Sequence, residues 1–156
     1  MKSKVGTVLL SGLVAGTLDI ITSIIIYAFI LQKTTATKIL QSIASGILKK
    51  DAYSGDPKVL YYGLLFHFII AVLFALFYLI IYPYIPFLKN NTLLSGFTYG
   101  VFVWIVMNLI VLPIVFPVLP AKNLDFPLLL SILILVFCIG LPIAFITKKH
   151  YYSSNR

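Results

Sequence analysis

The chain's apolar positions gather into four long runs, roughly residues 7–31, 59–82, 93–112 and 128–147, with the polar positions between them and at the two ends. Each run is close to the ~20 apolar residues that cross a hydrocarbon core. The runs are continuously apolar, whereas a barrel strand alternates, so they predict helices. The expected fold is an all-α integral membrane protein. Its single four-helix transmembrane domain spans residues 1–150, and a polar C-terminal tail covers 151–156. The first run exceeds the ~7–15 residues of a signal-peptide core and no A-x-A-like site follows it, so it is expected to remain as a membrane anchor.

Two of the intervening segments carry their own pattern. In "ATKILQSIASGILKK" (36–50), Ile39, Leu40, Ile43, Ile47 and Leu48 fall on one helical face, and Lys38, Gln41, Ser42, Ser45 and Lys49 on the other. That spacing predicts a short amphipathic helix, lying in the membrane interface or packed across the end of the bundle. "DAYSGDPK" follows with turn chemistry in Gly55, Asp56 and Pro57. The second segment, "PIVFPVLPAKNLDFP" (113–127), holds four prolines and is expected to be extended and stiff. Both segments fall on one side of the membrane and together are placed to cap the helices.

An internal echo joins the halves. Residues 9–16 read "LLSGLVAG" and residues 93–100 read "LLSGFTYG", opening the first and third runs. The chain is therefore expected to contain two related helical hairpins about an axis along the membrane normal. The echo includes two G-x-x-x-G pairs, Gly12 with Gly16 and Gly96 with Gly100. Paired small residues let helix backbones approach closely, which predicts packing of the first helix on the third, or of one motif on a second copy of the chain in a homo-oligomer.

Composition supports a lipid-facing protein: of 156 residues, 61% are hydrophobic and only 10% charged, with a mean hydropathy of +1.07. A chain this short cannot bury so much apolar surface within itself. The net charge of +8 does not point to nucleic acid, because the lysines lie at helix ends and in loops, where they meet lipid headgroups. Four spans put both termini on one side. Lys2, Lys4, Lys89, Lys148, Lys149 and Arg156 are there, against Lys33, Lys38, Lys49, Lys50, Lys58 and Lys122 on the other side. The near tie is tipped toward cytoplasmic termini by Lys2 and Lys4 beside the first helix.

The residues that stand out chemically are inside the spans. Asp19 continues the small face of the first helix through Gly12, Gly16 and Ser23. An intramembrane carboxylate costs several kcal/mol unless paired or protonated, so it should face the bundle. At ~1.5 Å per residue in a ~30 Å core, Asp19 and His67 both lie ~18 Å from the face where the first helix enters, and Asn108 ~22 Å. Three polar side chains from three helices are thus expected to form an intramembrane cluster. It would order the bundle, relay protons through Asp19 and His67, or bind a lipid or quinone. Pro142, in "GLPIAFI", is expected to kink the fourth helix. Tyr61, Tyr62, Tyr82, Tyr84, Tyr151 and Tyr152 fall at span ends, as interfacial aromatics do.

Other chemistries are not supported by the sequence. His67 and His150 are the only histidines, and His150 belongs to the tail "KKHYYSSNR". The single Cys138 allows neither an internal disulfide nor a cysteine-rich metal site. There is no phosphate-binding loop, dinucleotide fingerprint or hydrolytic triad. No enzyme activity, cofactor or metal is expected, and the expected partners are membrane lipids and a membrane-protein or homo-oligomeric neighbour. Taken together, "GLVAGTLDI", "YYGLLFHFIIA", "LLSGFTYGVFVWIVMNLIVLPI" and "GLPIAFI" resemble small bacterial inner-membrane proteins of the YagU type, over about residues 6–149. The resemblance implies a multi-pass protein of the bacterial inner membrane. It supplies no mechanism and no catalytic residue, since that family has no assigned biochemical activity.

Overall fold

The computed structural model describes residues 3–116 and 126–154. Among the described residues there is no strand, and four helices are long and apolar enough to cross a membrane: Lys4–Ile30, Lys58–Ile81, Thr92–Val115 and Phe126–Tyr152. Most of their outer surface is Leu, Ile, Val and Phe, including Leu13, Ile21, Leu73, Phe97, Leu109 and Phe137. That surface needs lipid as its solvent, so the chain is a polytopic helical membrane protein. The fourth span is the central one. Its most apolar stretch is 39% buried, against 17–22% for the other three.

Helix ends follow from local chemistry. Thr35 caps the connecting helix Ala36–Leu48 by accepting from the Lys38 amide at 3.2 Å. That helix ends where Lys49 takes a φ of +52° and the chain tightens into a 3₁₀ turn, Lys49–Tyr53. Asn91 Oδ1 accepts from the Leu93 and Leu94 amides, both at 3.1 Å, and so starts the third span. Three spans widen into π-helical segments, at Ile24–Ile30, Val106–Val111 and Val136–Gly140. The last two stand just before Pro113 and Pro142. A proline ring crowds the carbonyl four residues back and offers no amide donor, and a π turn is one way a continuous helix absorbs both defects.

The amphipathic helix packs across the end of the bundle. The Leu40 backbone lies so close to Gly63 of the second span that a Cβ there would collide with it. The buried positions of the helix differ from the expected face. Ala44 and Ser45 are buried, while Ile47 is 64% exposed. Ser45 is tolerated inside because its hydroxyl donates to the Ser42 carbonyl at 2.8 Å. Two further boundaries move. The third span runs to Val115, so Pro113 is helical, and 117–125 lies outside the described residues. The fourth span's helix runs through the expected tail to Ser154.

The glycine pairs do not join the first and third spans. A Cβ on Gly12 would meet the Val72 Cα at 2.7 Å, and one on Gly16 the Phe68 ring at 2.9 Å, both on the second span. Gly96 lies against Leu141, and Gly100 against Val136, on the fourth. Each motif closes its own hairpin, in matching antiparallel register. The reason is geometric: the small face is used where two backbones cross closest, and here that is within each hairpin.

A candidate intramembrane site

The hairpins meet along two seams that differ. The seam between the first and fourth spans is tied along its length. His150 Nδ1 lies 2.9 Å from Thr7 Oγ1, the Cys138 thiol is 3.4 Å from Thr22 Oγ1, and the Tyr27 hydroxyl donates to the Pro127 carbonyl at 3.3 Å. The seam between the second and third spans is closed only in its half nearer the termini. There Tyr78 bonds Ser95, the Tyr99 hydroxyl donates to the Phe74 carbonyl at 2.6 Å, and Phe77 stacks on Phe102.

The other half of that seam holds a cavity of about 630 Å³. Phe66, His67, Ile70, Ala71 and Phe74 of the second span face Val103, Met107, Val111, Leu112 and Val115 of the third across it. Leu135 and Ile139 of the fourth span and Asp19 of the first form its inner wall, and Ser42, Ile43, Gly46, Ile47 and Tyr53 cover its end. Ile47 and Tyr53 are 64% and 58% exposed, so they mark the rim. The volume and the mainly apolar walls with few polar groups are those of a small-molecule site.

Two of the three expected cluster residues meet on this wall. His67 Nε2 lies 2.8 Å from the Gly16 carbonyl and 3.9 Å from Asp19 Oδ2. A carbonyl only accepts, so Nε2 carries the proton and donates it across the helix pair. The separation from Asp19 is too long for a hydrogen bond. The two side chains are 12% and 15% exposed, respectively. Asn108 is placed differently: its Nδ2 donates to the Trp104 carbonyl one turn back, at 3.1 Å, and it is not among the described residues that line the cavity. Equal depth along the membrane normal did not put it on the same face.

Sequence reasoning missed three features here. The Tyr78–Ser95–Tyr99 group that seals the seam looks in sequence like ordinary apolar span, and only the unusual number of tyrosines marks it. Tyr82, expected at the interface, is buried and stacked on Tyr151 with ring centroids 4.9 Å apart. His150, assigned to a polar tail, is buried against Thr7. Thr7 Oγ1 also lies 3.2 Å from the Ser3 carbonyl, so this hydroxyl joins His150 to the start of the first span. Comparison of the chain with family models, with curated proteins and with solved structures finds no match.

Proposed function

We propose that this is a bacterial inner-membrane protein, non-enzymatic, that binds an amphiphilic small molecule between its second and third spans. The observation that carries this reading is the cavity of about 630 Å³, apolar on most sides, with Asp19 and His67 on its inner wall. A dry, filled cluster would have favoured a purely structural role for the pair. Here His67 bonds Gly16, and both it and Asp19 face the space. The resemblance to YagU-type proteins agrees with the membrane assigned.

The test is to purify wild type and Gly46→Leu in mild detergent, extract each with organic solvent and compare the extracts by mass spectrometry. A Cβ at Gly46 would already touch Val115 Cγ1, 3.6 Å away, so the outer carbons of a leucine there must occupy the covered end of the cavity that both residues line. The expected result is a compound enriched with wild type and depleted at least about fivefold from the variant. Equal extracts would overturn the reading.

A second reading, proton relay, is favoured by the 3.9 Å separation of Asp19 and His67. Toward the termini the path meets Tyr99 on Phe74 and Gly12 on Val72, which argues for a dead-ended site. Liposomes loaded with a pH-sensitive dye decide it: a relay acidifies them in an Asp19-dependent way, and a binding site does not.

A further inference from the structure

The walls of the cavity constrain the head group of what it holds, granted the binding reading above. Among the described residues, none donates a hydrogen bond to Asp19. The nearest candidate, His67 Nε2, is 3.9 Å away and already gives its proton to Gly16. Among the described residues, no lysine or arginine lines the cavity. Of the hydroxyls that face it, Ser42 Oγ donates to the Ile39 carbonyl at 2.7 Å, and the Tyr53 hydroxyl stands at the exposed rim, 3.5 Å from Ser45 Oγ. Among the described residues, the inner wall therefore offers a carboxylate, with the His67 donor beside it used elsewhere. Phe66, Phe74 and Phe116 add aromatic rings to the walls, and ring faces attract cations.

The second hairpin closes without a carboxylate. At the spacing of the repeated motif, Asp19 corresponds to Val103. His67, next to Phe68, corresponds to Leu135, next to Val136. All four residues line the cavity, and the second hairpin closes with an apolar pair where the first has an acid and a base. We infer that the cavity takes an amphiphile whose head is a hydrogen-bond-donating cation, an ammonium or amidinium on an apolar body, which Asp19 receives as its ion-pair partner. Such a head supplies the charge that an intramembrane carboxylate lacks. To an ionised Asp19, a quinone, whose carbonyls only accept, and a phospholipid without an amino group, whose phosphate is anionic, both bring only acceptors.

The experiment uses the full chain in nanodiscs and two probes of one shape, ω-bromoundecylammonium and ω-bromoundecanol. Bromine quenches Trp104, the only tryptophan, which stands between the lining residues Val103 and Met107. Quenching that persists in Gly46→Leu reports probe in the lipid, and the saturable remainder reports the cavity. The inference expects the ammonium to bind wild type at least about tenfold more tightly than the alcohol. That preference should vanish in Asp19→Asn and survive in Asp19→Glu. Saturable binding of both probes with equal affinity in wild type would overturn the cationic head and leave the cavity as a binding site. No saturable quenching by either probe would overturn the binding reading, and this inference with it. The wild-type ratio needs no variant, so a failure of Asp19→Asn to fold does not remove the test.

Discussion

The two hairpins share a packing device and differ in what they do with it. In the first, Gly12 and Gly16 admit Val72 and Phe68. In the second, Gly96 and Gly100 admit Leu141 and Val136, and Gly140 adds a third glycine that brings the backbones closer still. Ser11 and Ser95, at the same place in the repeat, are both fully buried. Beyond the glycines the likeness ends. The first hairpin puts Asp19 and His67 on the cavity wall, where the second puts Val103 and Leu135. The comparison separates two kinds of constraint in one membrane: small residues that decide whether helices can approach, and polar residues that the approach itself does not need.

The largest effect on that comparison should come from the tightest contact. A Cβ on Gly140 would strike the Gly96 carbonyl and the Gly100 backbone, and neither can rotate away. Gly140→Val should therefore cost about 3 kcal/mol or more, or prevent folding, as read by thermal unfolding in detergent. Gly16→Ala meets the edge of the Phe68 ring, which can turn, and the Ala71 Cβ at 3.1 Å, and should cost less, about 1–2 kcal/mol. Equal losses at the two sites would mean that the second hairpin is no tighter than the first.

The tyrosine seal should respond next. Tyr99→Phe removes the bond to the Phe74 carbonyl while keeping the ring. An interhelical hydrogen bond in a membrane contributes about 0.6–2 kcal/mol, so a loss in that range is expected, together with faster hydrogen exchange in the second span near Phe74. The smallest effect should come from the end of the closed seam. Thr7→Val removes the hydrogen-bond partner of His150 Nδ1 and should cost about 1 kcal/mol. As His150 would be left buried with an unmatched ring nitrogen, His150→Phe in that background should recover part of the loss.

How much of this was readable in the sequence follows from which interactions are local. Continuous apolar runs set the four spans to within a few residues, because crossing lipid is decided by length and hydropathy along a single segment. Thr35 and Asn91 cap helices they adjoin in sequence. The depth of Asp19 and His67 could also be counted along single helices. Rotation and neighbour choice could not, since they depend on which faces meet. Hence Asn108 shares their depth but not their cavity, and the glycine motifs pair within hairpins although their likeness suggested pairing with each other. The fourth span's extension through His150 was hidden for the same reason. "KKHYYSSNR" reads as polar tail until Thr7 provides a partner for the histidine.

The central claim is that the acid and base on the cavity wall are kept for what the cavity holds, and the second hairpin supplies the control. Replacing Asp19 and His67 together by the residues at the corresponding positions, as Asp19→Val with His67→Leu, makes the first hairpin match the second. Gly16's carbonyl keeps its place in the helix, and an apolar pair replaces two polar groups without leaving either one unmatched. The deciding measurement is the thermal stability of this double variant in detergent. The account predicts stability within about 1 kcal/mol of wild type, or above it. A loss of about 3 kcal/mol or more would show that the pair holds the bundle together, and would contradict the account.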